Sequence, residues 1–228
     1  MIEKELKKRR DAEKANTLCR FFKTGKGDYG EGDAFLGIKV PDQRMIVKKN
    51  LNASYLELQE LLNSKFHECR LTALLILVQK FDFEEEKVFK FYLKNLKNIN
   101  NWDLVDLSCP KIIGKYLYNK DRALLYKLAS SNNLWDKRIA IVSTHFFIKN
   151  NDFEDTLKIS KILLSDKHDL IHKAIGWMLR EVGKRDEKVL IDFLEKEYYN
   201  IPRTALRYAI ERLSEEKRKY FLNKKNEK

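Results

Sequence analysis

The sequence has few of the residues that cross-link or interrupt a fold. Of its 228 residues only 3 are cysteine, 3 are proline and 8 are glycine. Cys19, Cys69 and Cys109 lie far apart and form no CxxC pair, which argues against a disulfide framework and against a zinc finger. No apolar run approaches the roughly 20 residues that cross a bilayer, and the charged N-terminus lacks the apolar segment of a signal peptide. We therefore expect a soluble, cytoplasmic protein with no membrane partner.

The scarcity of proline and glycine favours helices. Five of the glycines fall between Gly25 and Gly37, and elsewhere apolar residues recur three or four positions apart between short polar joints. Helix starts are predicted at Asn101, at Ser214 and at Ser54, where Glu57 completes a capping box. No window alternates as a strand does. The predicted fold class is all-α.

A repeat of about 34 residues organises the predicted helices. A basic residue leads an apolar run at four places, Arg70, Arg138, Lys173 and Arg207, at intervals of 68, 35 and 34 residues. The first interval is two periods long, and the segment around Trp102 fills its gap. Repeats of this length with two helices each are typical of α-solenoids. We predict one solenoid domain over residues 1–228, with a disordered tail at 221–228.

The chain is strongly basic, with 46 Lys and Arg against 34 Asp and Glu and a formal net charge of +12. Such an excess attracts polyanions, and nucleic acid is the first candidate. The repeat gives Arg138, Lys173 and Arg207 equivalent positions, from which they would line a concave basic face and neutralise DNA phosphates. In the alternative interpretation they extend from helix ends or pair with acids such as Glu181 and Glu211. The sequence leaves both interpretations open.

One carboxylate stands out against this basic background. Trp102 and Asp106 are four residues apart in a segment that is predicted to be helical, so they share one helix face. Asp106 lies between Val105 and Leu107, and an ionised carboxylate is costly to bury there unless it is paired or required by a site. Asp106 is therefore a candidate functional residue.

The segment from Gly25 to Gly30 matches the GxGxxG pattern. The match is weak, because a helix is predicted before it where a dinucleotide site needs a strand. Its carboxylates, Asp28, Glu31 and Asp33, would also repel a phosphate. We predict a flexible surface loop with a function other than holding phosphate.

Two further features are more typical of structure than of chemistry. His168 and His172 could share a helix face, but no third ligand and no HExxH motif accompany them, and we predict no metal site. Trp177 lies in an apolar run, where an aromatic side chain usually belongs to the core. The neighbouring Gly176 indicates a close approach by another segment, because glycine inside a helix lowers its stability.

Several segments taken together resemble the AlkD-type DNA alkylation repair family, whose members are DNA glycosylases built from HEAT-like helical repeats. The matching segments follow the family's order along nearly the whole chain: 21–25, 35–38, Val40 with Pro41 and Arg44, 101–106, 135–140, 173–181 and 203–211. No single segment is decisive, whereas the ordered set is specific.

The resemblance implies hydrolysis of the N-glycosidic bond of cationic alkylated purines, such as 7-alkylguanine and 3-alkyladenine, in double-stranded DNA. Asp106 would be the catalytic carboxylate, Trp102 and Trp177 would flank the damaged deoxyribose, and Arg138 would hold the backbone. The other expected DNA-binding residues are Lys173, Arg203, Arg207 and Lys39. The family leaves the lesion stacked in the duplex rather than extruding it. We expect a monomer that needs no cofactor.

The sequence departs from the family pattern where Phe21 and Lys39 replace Tyr and Gln, and where the loop over 25–33 is longer. These positions lie near DNA in the family, so the departures bear on the choice of lesion. A second hypothesis from another class also stands, a HEAT-like module that binds DNA or protein without chemistry. Release of a damaged base distinguishes the two.

Overall fold

The computed structural model describes residues 1–224 and divides the chain into two compact units, Met1–Ser108 and Cys109–Lys228. Within the described residues the chain is helical and has no β-strand, and its extended segments contribute one isolated bridge, between Ala34 and Phe66. The all-α prediction is confirmed. None of the helices in residues 1–224 is long and apolar enough to cross a membrane.

The first unit is built around α5. Its helices are α1 (Ile2–Lys8), α2 (Ala12–Phe21), α3 (Val40–Lys49), α4 (Tyr55–Leu62), α5 (His67–Lys80), α6 (Glu85–Lys94) and α7 (Trp102–Cys109), with a 3-10 turn at Leu96–Asn98 before α7. Helices α1, α3, α4 and α6 all pack on α5, which is buried from His67 to Leu77. The predicted capping box is present, since Ser54 and Glu57 bond reciprocally at the start of α4.

The second unit begins with a π-turn at Pro110–Gly114, where the missing N–H of proline interrupts the α-helical ladder. Its helices are α8 (Lys115–Leu117), α9 (Ala123–Ala129), α10 (Leu134–Ser143), α11 (His145–Lys149), α12 (Glu154–Leu163), α13 (Asp169–Gly183), α14 (Glu187–Glu197), α15 (Arg203–Ala209) and α16 (Glu215–Asn223), with a 3-10 turn at Tyr198–Asn200. Helix α10 packs against α9 and α13, and α13 packs against α12, α14 and α15. This succession of contacts between neighbouring helices is the packing of a stacked repeat.

Gly176 explains how closely α13 and α15 approach each other. A Cβ atom at this position would stand 2.5 Å from the carbonyl oxygen of Ala205 and 2.5 Å from the Cβ of Tyr208. Such distances are far inside van der Waals contact, so a larger residue would push α15 away. The close approach expected from the sequence is confirmed.

The C-terminal prediction is wrong in part. Residues 221–223 continue α16, where Phe221 is buried and its carbonyl oxygen accepts a hydrogen bond of 2.8 Å from the hydroxyl of Tyr198. An aromatic contact with the preceding repeat therefore holds this end of the chain in place. Residues 225–228 lie outside the described part of the chain, and the single domain over 1–228 stays a prediction.

Candidate active site

The basic positions of the repeat fall at the same point in successive helices. Arg138, Lys173 and Arg207 are the fifth residues of α10, α13 and α15, and Arg70 is the fourth residue of α5. The fifth residue of α7 is Asp106. A carboxylate therefore occupies the position that carries a cation in α10, α13 and α15 and that follows the cation directly in α5.

Trp102 and Asp106 are both half-buried, whereas Asp103, Leu104 and Val105 between them are buried. The spacing of four residues gives α7 one partly solvated face with an indole at its start and a carboxylate one turn later. The backbone N–H of Trp102 donates to the side-chain oxygen of Asn101 at 2.8 Å, so Asn101 marks the start of this helix as the sequence predicts.

Stacked aromatic rings fix the indole of Trp102. The ring of Phe22 lies parallel to it, with centroids 5.0 Å apart and an interplanar angle of 12°. Phe21 meets the indole edge-on at 5.9 Å. Phe22 also stacks on Phe35 at 4.9 Å, and the ring of His67 lies against both, stacked on Phe35 at 4.6 Å and tilted against Phe22 at 5.0 Å. A cluster of aromatic rings thus connects Trp102 to His67 in the interior of the first unit.

The other side of α7 carries a carboxylate of a different kind. Asp103 is buried, and its Oδ2 accepts a hydrogen bond of 2.8 Å from Nε2 of His67. The opposite ring nitrogen of His67 lies 3.2 Å from Oδ2 of Asp33. Because both nitrogens face carboxylate oxygens, both donate, and the ring is the imidazolium.

Arg70 and Asn101 complete this network. The guanidinium of Arg70 donates to Oδ1 of Asp33 at 2.7 Å, and the side-chain amide of Asn101 donates to Oδ2 of Asp33 at 3.3 Å. Two buried cations, His67 and Arg70, therefore face two buried carboxylates, Asp33 and Asp103. A buried charge needs this kind of pairing, because its hydration is lost on folding.

Opposing effects set the pKa values of the network. Burial acts to lower the pKa of His67, but the charge of Asp103 and the hydrogen bonds to Asp103 and Asp33 outweigh it and raise that pKa above its usual value. Burial acts to raise the pKa of Asp33, but the hydrogen bond from His67 and the charge of Arg70 outweigh it and lower that pKa. Each shift favours the charged form of its group.

The glycine-rich segment has an exposed part, residues 25–28, and a buried part, residues 35–38, which a buried carboxylate holds. Glu68, which is 1% exposed, accepts hydrogen bonds from the backbone N–H groups of Leu36 at 2.9 Å, Gly37 at 2.8 Å and Ile38 at 3.2 Å. Gly37 has φ +86° and lies against the carbonyl oxygen of Asp11, where a Cβ would stand 2.2 Å away. The sequence places Asp33 among the carboxylates of a surface loop, whereas the structure buries Asp33 against His67 and Arg70.

A cavity of about 430 Å³ opens in the first unit beside this cluster. Its walls are mostly apolar and aromatic, and its polar groups include Lys14, Lys39, Gln43, Glu68 and Asp103. Phe21 and Phe22 also line it, whereas Trp102 and Asp106 do not.

In the second unit Arg138 is buried, and its guanidinium donates to the carbonyl oxygen of Leu170 in the first turn of α13 at 2.6 Å. Lys173 is half-buried, and its ammonium lies 2.7 Å from the Asp169 carboxylate one turn earlier. Contacts within the chain therefore engage both residues, as the alternative interpretation of the sequence expects. The partners differ from the acids named there.

Trp177 is half-buried on α13, one turn after Lys173, and its ring lies 5.6 Å from that of His145 at an angle of 44°. Burial and the positive charge of Lys149 lower the pKa of His145, which favours the neutral form of the imidazole beside the indole. Arg203 and Arg207 are exposed on α15, where Arg203 donates to the carbonyl oxygen of Leu222 at 3.0 Å. Lys39 is exposed at the N-cap position of α3.

No group of three or more His, Cys, Asp or Glu side chains within residues 1–224 could hold a metal ion. His168 caps α13, since its Nδ1 accepts a hydrogen bond of 3.1 Å from the backbone N–H of Leu170. Nε2 of His172 lies 2.5 Å from the carbonyl oxygen of Asp166. Both histidines therefore make hydrogen bonds at the N-terminal end of α13.

Comparison with known proteins identifies the family. The family model of the DNA alkylation repair enzymes matches residues 2–213. The chain belongs to this family. Its fold is similar to the structure of a predicted DNA alkylation repair enzyme from Enterococcus faecalis, with a TM-score of 0.74 and 19% sequence identity over 91% of this chain and 98% of that chain. No curated protein matches the sequence. The resemblance found in the sequence is confirmed, and family membership indicates DNA as the substrate.

Sequence reasoning missed the buried network of this family member. His67 and Asp103 carried no recognisable motif, and Asp33 was assigned to a loop. One signal was available: His67 and Arg70 lie one turn apart at the head of an otherwise apolar helix, and two buried cations require carboxylates from elsewhere in the chain.

Proposed function

We propose that this chain is a DNA glycosylase that hydrolyses the N-glycosidic bond of cationic alkylated purines in double-stranded DNA, with Asp106 as its catalytic carboxylate. The substrates would include 7-alkylguanine and 3-alkyladenine. The observation that carries the proposal is the placement of Asp106. It stands at the helix position that is basic in α10, α13 and α15, on the same face of α7 as a tryptophan.

The proposed chemistry needs one carboxylate. An alkylated purine already bears a positive charge, so the C1′–N bond breaks with its electron pair moving onto the base, which leaves neutral. The sugar develops oxocarbenium character, which a fixed negative charge stabilises. The oxygen of a water molecule then bonds to C1′, and its proton passes to Asp106 or to solvent. No general acid is required for the leaving group.

Trp102 and Trp177 would contribute the faces of their indoles. An aromatic face attracts a cation through its quadrupole, and each of these rings is half-buried, so each keeps part of its surface open. Phe22 holds the plane of the Trp102 ring, and a group that is fixed before the reaction does not have to be ordered during it.

Exposed cations would bind the DNA backbone. Lys39, Arg203 and Arg207 are solvent-exposed, and Lys173 is half-buried, so these four are our proposed phosphate contacts. Arg138 is buried on the carbonyl oxygen of Leu170, and we assign it the role of positioning α13, which carries both Lys173 and Trp177. A monomer that acts without a cofactor and leaves the lesion stacked completes the proposal.

The test is the rate at which 7-methylguanine is released from methylated duplex DNA by the native chain and by Asp106→Asn. Loss of a fixed charge that stabilises the transition state costs about 3 kcal/mol, so we expect a decrease of roughly 10²-fold or more. Asp192→Asn, which changes an exposed aspartate on α14, is the matched control and should retain the native rate.

Equal release by the native chain and Asp106→Asn would contradict the proposed role of Asp106. If the native chain binds duplex DNA but releases no base, the glycosylase assignment fails and the non-catalytic binding module replaces it.

A further inference from the structure

We propose that His67 and Asp103 are positioning residues for base release, because they hold Trp102 and, through α7, Asp106 in place. The inference rests on the proposed function, which assigns chemistry to Trp102 and Asp106 but not to the groups that fix them. His67 and Asp103 are buried, so they would act through these two side chains and not on the DNA. A site depends on such support, because its reacting groups must be held close to the productive geometry.

Buried hydrogen bonds hold the chain on both sides of Trp102. Asn101, which precedes it, is fully buried, and its side-chain amide donates to Oδ2 of Asp33 at 3.3 Å. Asp103, which follows it, accepts a hydrogen bond of 2.8 Å from Nε2 of His67. Nδ1 of the same ring lies 3.2 Å from Oδ2 of Asp33. One imidazole therefore connects to both sequence neighbours of Trp102.

The His67 ring also supports the indole itself. It lies tilted against Phe22 with centroids 5.0 Å apart, and Phe22 is stacked on Trp102 at 5.0 Å and 12°. His67 thus restrains Trp102 through the backbone of α7 and through the ring of Phe22. Asp106 follows Trp102 by one turn of α7, and the hydrogen bonds within a helix keep neighbouring turns in a fixed relation.

Stability alone does not require ions at this place. A buried ion pair often stabilises a fold no more than apolar side chains of the same volume do, because both charges lose their hydration. A fully satisfied network of buried hydrogen bonds instead fixes one arrangement of its members. The network ends on both neighbours of Trp102, so it serves the geometry of the proposed site in addition to the stability of the fold.

Two amide substitutions of His67 separate its two hydrogen bonds. The side-chain nitrogen of Gln takes about the place of Nε2, so His67→Gln keeps a donor for Asp103. That of Asn takes about the place of Nδ1, so His67→Asn keeps a donor for Asp33 and loses the one for Asp103. Both variants lose the same charge and the same ring, and they differ in the bond to α7.

The rate of the chemical step and the affinity for DNA should respond differently to these variants. Single-turnover release of 7-methylguanine at saturating enzyme should be at least about tenfold slower in His67→Asn than in His67→Gln, because a displaced reacting group loses rate steeply. The Kd for methylated duplex DNA should be the same for both variants, because position 67 is buried and contacts no phosphate.

Leu77→Ala is the control for loss of stability without loss of the network. Leu77 is fully buried later on α5, and truncating it lowers stability by leaving a cavity. At a temperature where circular dichroism shows all variants to be folded, Leu77→Ala should release base at the native rate. If His67→Asn does not fold, Asp103→Asn and Asp103→Ala replace the pair. Asn keeps an acceptor for Nε2 of His67, so Asp103→Asn should be the faster of the two.

A spectroscopic measurement tests the positioning apart from the chemistry. In the chain labelled with 5-fluorotryptophan, each of the 3 tryptophans gives a fluorine resonance, and Trp102→Phe identifies that of Trp102. His67→Asn should shift or broaden this resonance and leave that of Trp177 unchanged. His67→Gln should change the Trp102 resonance less.

The outcomes separate this inference from the proposed function. If the native chain releases no base, the proposed function fails, and the fluorine resonance of Trp102 decides whether the network positions this side chain. Equal release by His67→Asn and His67→Gln in an active enzyme would overturn the inference, as would an unchanged Trp102 resonance in His67→Asn. A loss of rate in Leu77→Ala as large as that in His67→Asn would also overturn it, because lower stability would then explain both.

Discussion

The two sides of α7 place carboxylates of the same chemical type in opposite circumstances. Asp103 is buried and paired with His67, which is 2% exposed. Asp106, three residues later, is half-buried on the side that carries Trp102. The two carboxylates are thus one turn of helix apart. Asp103 pairs with a buried cation, whereas Asp106 keeps part of its surface in contact with solvent. We infer that the first stabilises the fold, whereas the second is the carboxylate of our proposed function.

Removing each carboxylate in turn tests most directly whether Asp103 and Asp106 differ in their contribution to stability. Asp103→Ala leaves a buried imidazolium short of a partner, and breaking a buried pair in this way costs about 3–5 kcal/mol. Asp106→Ala should lower the free energy of unfolding by less than Asp103→Ala does, because Asp106 keeps part of its surface in water whereas Asp103 is buried. Urea denaturation of the two variants and the native chain measures both values. Equal destabilisation by the two substitutions would show that Asp106 is as structural as Asp103.

The stability that the buried network of His67 and Asp33 provides should depend on pH. The pKa of His67 is raised in the folded state, so its stabilising contribution is complete below the unfolded value of 6.5 and is lost as the pH rises through the folded pKa. The pKa of Asp33 is lowered, so its contribution is complete above 3.8 and is lost as the pH falls through the folded pKa. The network therefore stabilises the fold most between these two pH values.

His67→Gln, which cannot carry the charge, provides the measurement. The difference in the free energy of unfolding between the native chain and His67→Gln should shrink as the pH is raised above 6.5. A difference that stays constant from weakly acidic to alkaline pH would mean that the imidazolium has no part in stability.

The smallest expected effect is a change in the salt dependence of DNA affinity. It distinguishes the exposed Arg207 from the buried Arg138. Each phosphate contact contributes about one unit to the slope of DNA affinity against salt on logarithmic axes. Arg207→Ala should reduce that slope by about one, because Arg207 is exposed, whereas Arg138→Ala should leave the slope unchanged and lower stability, because Arg138 is buried on Leu170. A loss of slope in Arg138→Ala alone would reverse our assignment of the two residues.

The repeat shows how far the sequence alone could be read. The sequence places Arg70, Arg138, Lys173 and Arg207 in one register, and each stands at the fourth or fifth residue of its helix. Their common spacing did not predict a common environment. Arg70 and Arg138 are buried, while Arg207 is exposed, because the burial of a side chain depends on the helices packed around it and not on its position within the repeat.

Asp33 shows the opposite case. Its neighbours in the sequence are glycines and charged residues, which indicate a surface loop, and Asp33 is nevertheless buried against His67 and Arg70 on α5. Nothing local to Asp33 indicates those partners, which lie more than thirty residues along the chain. Prediction from local pattern fails where a polar residue is buried by a long-range pair.

The sequence by itself determined the helices, their repeat, the family and the pairing of Trp102 with Asp106 on one face of α7. These properties follow from helical periodicity and from capping residues, which act over a few positions. Only the tertiary structure decided which charges are buried, which aromatic rings hold Trp102, and that a cavity with aromatic walls lies in the first unit. Those properties depend on contacts between distant segments, where the loss of hydration on burial selects the partners.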